Sequence, residues 1–220
     1  MAKTNYDIQV NPYWYGLSRF VVRSVASVVF RFRASGVENI PREGAVLAVA
    51  NHQSHLDPPL IGAGSPRNMV YLARATLFNF RPFAALIRSY GAIPLRQDAP
   101  PVTGIRAALV QLKQQRMLLM FPEGSRTPDG LMHPFKPGFA ALARKTQATI
   151  LPIAIEGAYK AWPRTRSFPL PGRVHVHYGH PISPDEYAAW SEDELMQVVE
   201  QKVREYWEML RQRPEFRRFS

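Results

Sequence analysis

The run Gly44–Ala50, Gly-Ala-Val-Leu-Ala-Val-Ala, carries no polar side chain, and a strand with that pattern must be covered on both faces. Met117–Phe121 and Thr149–Ile155 are almost as apolar, and Met69–Ala73, Gly91–Leu95 and Val174–Tyr178 are further short strand-like runs. Helical spacing of apolar residues lies between them at Phe83–Ser89, Thr103–Gln115 and Gly138–Thr146. A polar loop from Asn51 to Leu56 leads into Asp57-Pro58-Pro59. Asp is a good helix cap and Pro suits the first helical position, so a helix is expected to start there with Asp57 as its cap. Ser191, with Glu194 three residues on, reads as a capping box that opens a closing helix running to Arg211. Strands alternating with helices predict an α/β fold: a single domain with a largely parallel or mixed sheet flanked by helices. A chain of 220 residues suffices for one such core.

Ahead of this domain, residues Pro12 to Phe32 read as an amphipathic helix. Tyr13, Leu17, Phe20, Val21, Val25, Val28 and Phe32 recur at spacings of three and four, with Arg19 and Arg23 on another face. Trp14 and Tyr15 form an aromatic pair near its start, suited to a headgroup boundary. The stretch Phe20–Phe30 is broken by Arg23 and falls short of the roughly 20 apolar residues that a spanning helix needs. Residues 1–33 are therefore read as a membrane-interface helix and residues 34–220 as the catalytic domain. The N-terminus shows no signal-peptide pattern, so the expected location is peripheral or monotopic on the cytoplasmic side of the membrane.

Twenty-eight Lys and Arg against 17 Asp and Glu give a net charge of +11. A basic balance fits nucleic acid, an anionic membrane or acidic substrates and carriers. With no nucleic-acid reading module in the sequence, the anionic membrane surface is the expected partner and nucleic acid is not. The absence of cysteine excludes thiol catalysis and disulfides.

Two polar constellations stand where apolar strands end, the place where open α/β sheets hold their ligands. The first is Asn51-His52-Gln53-Ser54-His55-Leu56-Asp57. An imidazole takes a proton near neutral pH, and a carboxylate fixes its tautomer and steadies its cation, so His52 and Asp57 offer a general-base dyad. His52, His55 and Asp57 are also three donors suited to zinc or iron, which keeps a metal-dependent hydrolase as the alternative. His175 and His177 alternate onto one strand face, which reads as a solvated face. The second constellation is Phe121-Pro122-Glu123-Gly124-Ser125-Arg126-Thr127. A Gly turn exposes backbone N–H groups, and Ser, Arg and Thr add donors, which makes an anion cradle. Glu123 itself repels phosphate; its place is to pin Arg126 or orient the loop. Ser125 is not in a Gly-x-Ser-x-Gly elbow, so no covalent acyl-serine step is indicated.

Together, Asn51-His52-x4-Asp57 and Phe121-Pro122-Glu123-Gly124-Ser125-Arg126 strongly resemble the glycerophospholipid acyltransferase family. Gly91-Ala92-Ile93-Pro94-Leu95-Arg96 between them is similar to its middle motif, Leu151-Pro152-Ile153-Ala154 to its last, and Phe135-Lys136-Pro137-Gly138 also fits. The resemblance covers about Ile40 to Gly157. It implies His52 as catalytic base with Asp57 as partner, and Glu123, Gly124, Ser125 and Arg126 on the motif that binds the acceptor's phosphate, with Arg74 and Arg96 beside it. Two departures lie on the acceptor side. The middle motif usually ends in Arg where this chain has Gln97, and the segment that often reads Lys-x-Glu-Leu is Arg74-Ala75-Thr76-Leu77. The implied reaction moves a fatty acyl group from acyl-CoA or an acyl-carrier protein to a lysophospholipid, foremost 1-acylglycerol-3-phosphate giving phosphatidic acid. Another lysolipid acceptor is the variant of that reading. No metal or other cofactor is expected.

Overall fold

The computed structural model describes residues 11–95 and 101–217. In chain order the elements are α1 (Pro12–Val29), β1 (Arg33–Ser35), β2 (Val46–Ala50), α2 (Asp57–Gly64), β3 (Met69–Arg74), α3 (Arg81–Ser89), β4 (Ala92–Leu95) and α4 (Pro101–Lys113). They continue with β5 (Met117–Met120), α5 (Phe139–Thr146), β6 (Thr149–Glu156), α6 (Ala158–Ala161), β7 (His175–Tyr178), α7 (Glu192–Arg211) and α8 (Pro214–Arg217).

The seven strands form one sheet in the order β1-β7-β6-β2-β5-β3-β4. Every neighbouring pair is parallel except β6 with β7, so the sheet is mixed and largely parallel. Because β2 is buried at all five positions, its side chains feed two cores. Leu47 and Val49 join Leu118, Ile150 and Ala154 under α4, α5 and α7; Val46, Ala48 and Ala50 join Leu119, Leu151 and Ile153 under α1 and α2. Each fully buried Leu or Ile contributes about 1.5–3 kcal/mol, so the centre of the sheet is its stable platform.

Most expected elements stand within a few residues of their sequence bounds. The capping box on α7 is present, with Glu194 N donating to Ser191 Oγ at 3.1 Å and Ser191 N donating to Glu194 Oε2 at 2.6 Å. Strand β1 and the single-turn helices α6 and α8 are additions to the sequence reading. The histidine pair on β7 does share a face, but that face is covered: His175 is buried and Ser35 Oγ lies 3.0 Å from both rings. Alternation sets which side a residue faces and leaves open whether anything packs there; here the side chains of Ser35, Arg213 and, against His177, Tyr206 of α7 do.

In the N-terminal helix two side chains, Tyr15 and Phe32, depart from the expectation. Asn11 caps it through Tyr13 N and Trp14 N, with Pro12 at its first turn. Its apolar stripe is turned outward: Tyr13, Phe20 and Val28 are 88%, 68% and 82% exposed. The helix packs instead through Tyr15, Ser18 and Ala26, against α2. Tyr15 is therefore not a headgroup residue. Its hydroxyl is buried and accepts from Met69 N at 3.2 Å, tying α1 to the start of β3. Trp14 remains half-exposed and donates to Ser89 Oγ at 2.8 Å. Phe32, expected on the same stripe, lies beyond the helix end and is buried. No described helix is long and apolar enough to cross a membrane.

Candidate active site

β2 and β5 are neighbours in register, Val49 opposite Met120, so the loops that follow them emerge side by side. Asn51 fixes where the first one leaves the sheet. Its buried amide accepts from Ile155 N at 2.8 Å and donates to Ile155 O at 3.0 Å, copying a strand partner where β2 stops pairing. The second loop then clasps the His52 peptide from both sides. Glu123 Oε1 accepts from His52 N at 2.7 Å, and Thr127 N donates to His52 O at 2.8 Å. The Phe121 ring stacks on the imidazole, centroids 4.0 Å apart and planes within 17°. Backbone and ring of His52 are thus both held before any substrate arrives.

His52 Nδ1 lies 2.8 Å from Asp57 Oδ2. The same oxygen accepts from Gln53 N at 2.6 Å and Ser54 N at 2.7 Å. A carboxylate only accepts, so His52 donates from Nδ1 and its Nε2 keeps a free lone pair. The imidazole is 18% exposed and the carboxylate 0%, so the ring can meet a ligand while its partner stays shielded. Asp57 does not cap α2 as expected. It is the first residue of the helix and its side chain reaches back to the loop, while Leu56 occupies the cap position with no side-chain bond. Competition for one carboxylate decides this: two loop N–H groups and an imidazole outweigh the helix end, which Pro58 and Pro59 already relieve of two donors.

Gln53 and Glu156 form a support that sequence spacing does not reveal, since 103 positions separate them. Glu156, buried at the end of β6, accepts from Gln53 Nε2 at 3.0 Å and Trp207 Nε1 at 2.7 Å. Tyr159 N donates to Gln53 Oε1 at 3.3 Å, so the side chain is held at both ends while its backbone serves Asp57. Burial raises the Glu156 carboxyl, and these two bonds work against that rise.

The other motif residues separate by role. Glu123 does not pin Arg126; its second oxygen accepts from His133 N at 3.2 Å, so the carboxylate is a backbone fastener for both loops. Burial raises it and the two backbone bonds oppose the rise. Gly124 turns with φ of 76°, a conformation that favours glycine, and accepts no substituent without strain. Ser125 is exposed on that turn. Arg126 is half-buried, and its basicity is lowered first by burial and then by Arg164 and Arg74, with Asp57 opposing. Arg74, exposed at the end of β3, also acts on His55, lowered by burial, Arg126, His52 and Arg74 in that order. Arg96 and Gln97 lie outside the described residues.

Among the described residues, two buried polar side-chain atoms have no partner, Asp57 Oδ1 and Arg126 Nη1. Such an atom costs about 1–3 kcal/mol. Both fall in this one site. The three-donor metal alternative is not gathered here. His55 turns its ring against Trp162, centroids 5.3 Å apart, and no group of three His, Asp or Glu among the described residues is arranged to hold a metal ion.

The same architecture occurs in known proteins. The structure superposes on the crystal structure of the 1-acyl-sn-glycerophosphate acyltransferase PlsC from Thermotoga maritima with a TM-score of 0.78 and 28% identity, covering 95% of this chain and 86% of that one. A 1-acyl-sn-glycerol-3-phosphate acyltransferase from Helicobacter pylori is 27% identical over 193 residues, 85% of this chain and 81% of its own length. One from Cocos nucifera is 28% identical over 155 residues, 69% of this chain, and the match spans about half of its length, 49%. The family model described as Acyltransferase matches residues 31–156, a span that contains both polar loops, and the chain belongs to that family.

Proposed function

We propose that this protein transfers a fatty acyl group from an acyl thioester, on coenzyme A or an acyl-carrier protein, to the free hydroxyl of 1-acylglycerol-3-phosphate. The observation that carries the reading is the His52–Asp57 pair at 2.8 Å, which leaves Nε2 as the acceptor nitrogen of the imidazole. His52 Nε2 takes the proton of the acceptor hydroxyl as its oxygen attacks the thioester carbonyl. Asp57 steadies the imidazolium that results. The tetrahedral intermediate collapses by breaking the carbon–sulfur bond, and the imidazolium returns its proton to the departing thiolate. An ester and a free thiol result, and His52 is neutral again. Arg126 and Arg74 hold the acceptor's phosphate, which turns binding energy into orientation of the hydroxyl.

The acceptor and product are lipids, and the outward stripe of α1 suits that. We place Leu17, Phe20, Val21, Val25 and Val28 in the boundary of an anionic membrane on its cytoplasmic side, with α1 lying along the surface. An active site at the surface avoids drawing acyl chains into water, at about 0.8 kcal/mol per exposed methylene. Vesicle flotation tests this. Binding to anionic vesicles is expected to fall in the exposed variant Phe20→Gln/Val28→Gln, with circular dichroism unchanged. Equal flotation of the variant would move the membrane contact away from α1.

Thiol release from acyl-CoA and acyl-carrier donors, measured with a panel of lysolipids, tests the reaction. Release that depends on 1-acylglycerol-3-phosphate and yields phosphatidic acid is expected. A preference for another lysolipid would keep the chemistry and change the acceptor. No release with any acceptor would sink the reading.

A further inference from the structure

The segment that leads into β7 runs back along the end of α1. Gly172 N donates to Val29 O at 3.2 Å, Val174 N donates to Phe30 O at 2.9 Å, and Arg33 N donates to Val174 O at 3.0 Å. This lacing sets Arg31, Arg33 and Arg173 around one cavity of about 140 Å³, with His175, Glu215 and Phe216 among its other walls. Arg33 lies 3.6 Å from Glu215, the one carboxylate in the lining. Arg31 and Arg173 have no ion pair among the described residues. His175 is bonded at both ring nitrogens, to Ser35 and Arg213, so the surplus charge belongs to the arginines. The backbone of Arg31 has φ of 41°, a left-handed conformation that glycine adopts freely and arginine rarely does. Glycine would end α1 with less strain; what arginine adds is a guanidinium at the cavity. The flanks are apolar. Val28, just before this turn, is exposed, and Phe168 and Leu170, just before Arg173, are 77% and 50% exposed.

We propose that the cavity between Arg31, Arg33 and Arg173 binds the phosphodiester headgroup of an anionic membrane lipid that is not a substrate. The lipid source rests on the placement of α1 along the membrane, whereas the site does not need the acyl-transfer reading. A phosphodiester carries one charge and two terminal oxygens. The planar forks of Arg31 and Arg173 suit those oxygens, and neither has to leave a carboxylate to meet them. Basic pockets beside a membrane-facing element hold anionic headgroups while the acyl chains stay in the bilayer. Val28 on one flank and Phe168 and Leu170 on the other give those chains an apolar border, which a free phosphate would not use. In the sheet β6 lies between β7 and β2, so the cavity sits towards the edge, apart from His52.

Calorimetry with dihexanoylphosphatidylglycerol, a soluble form of such a lipid, tests the site without a membrane. Arg31→Gly/Arg173→Gln is compared with Arg42→Gln/Arg106→Gln, which removes two exposed charges elsewhere. Losing two charge-assisted contacts predicts a Kd raised about 10-fold or more in the first variant, against a change within about twofold in the second. Glycine relieves the left-handed turn, so Tm should hold and weaker binding should not reflect unfolding. Equal binding by both variants, or none by the unaltered protein, overturns the proposal. Arg126→Ala should bind the lipid as the unaltered protein does; a loss there would put the lipid in the acceptor site instead. Inorganic phosphate, which lacks acyl chains, should bind about 10-fold more weakly or worse, and equal affinity would reduce the cavity to a free-phosphate site. Flotation with phosphatidylcholine vesicles containing phosphatidylglycerol should fall further in Arg31→Gly/Arg173→Gln than in the charge-matched control. Equal falls would show charge alone at work and count against a site. If Phe20→Gln/Val28→Gln floats normally while the soluble lipid still depends on Arg31 and Arg173, the placement of α1 fails and the site stands. If that variant loses flotation while every protein binds the soluble lipid alike, the site alone fails.

Discussion

Two histidine clusters lie at the same end of the same sheet, and they have been prepared for opposite purposes. His52 follows β2, while His175 opens β7 opposite Glu156, the last residue of β6. His52 has a carboxylate on Nδ1 and, among the described residues, no hydrogen-bond partner on Nε2. His175 has both nitrogens engaged: Arg213 donates to Nδ1 at 3.3 Å, so Nε2 donates to Ser35 Oγ, whose hydroxyl then donates to His177 Nδ1. Burial, and next Arg213, push His175 down to about 4. Nearness to the active end of a sheet does not make a histidine a base. A carboxylate that stabilises its cation, and one nitrogen left open, do so.

His52→Ala should break the first cluster outright, lowering turnover by about 100-fold or more, the usual scale for a lost general base. Near-normal turnover in a folded variant would erase the difference drawn between the clusters. Asp57→Asn should come close to that loss and should also lower Tm. Two loop N–H groups lose a charged acceptor, at about 1–3 kcal/mol in all. A full loss of activity with Tm unchanged would mean that the loop stands without its carboxylate. Arg126→Ala should raise the acceptor's KM about 10-fold and spare the donor's, since a guanidinium contact to phosphate is removed. The opposite ranking would move Arg126 to the donor.

Gln53→Ala keeps the backbone N–H that serves Asp57 but releases the side chain held by Glu156 and Tyr159. A fall in kcat of about 3- to 10-fold with little change in either KM is expected of lost preorganisation. His175→Gln should leave kcat within about twofold and sharpen the contrast through stability instead. In the fold His175 binds its proton only near pH 4, whereas in the unfolded chain it does so near 6.5. Stability is therefore complete above pH 6.5 and is lost as pH falls towards 4, on the order of 2 kcal/mol for this group. Denaturant titrations across that window should show a shallower acid loss for His175→Gln, and equal slopes would show that the histidine is not the sensor.

The order of strands and helices, the two polar loops and the His52–Asp57 pair were legible in the sequence, because each is a local matter. Burial on both faces shows as an unbroken apolar run, and the dyad lies within one loop of six residues, His52 to Asp57. The amphipathic stripe of α1 was legible too, but not which side of it meets the protein. Tyr15, Ser18 and Ala26 pack inward because α2 offers them a partner, and that is settled only when the chain is folded. β1 is Arg-Ala-Ser, a strand by virtue of its pairing with β7 and by nothing in its own composition. Glu123 as backbone fastener and Glu156 behind Gln53 depend on groups far apart in the chain, whereas Asp57 as loop clasp was decided among neighbours that compete for one carboxylate. The sequence by itself determined which chemistry is carried and on which strand ends. Tertiary structure decided which donors reach each carboxylate and which face of α1 packs on the domain, because those depend on distances that sequence separation does not set.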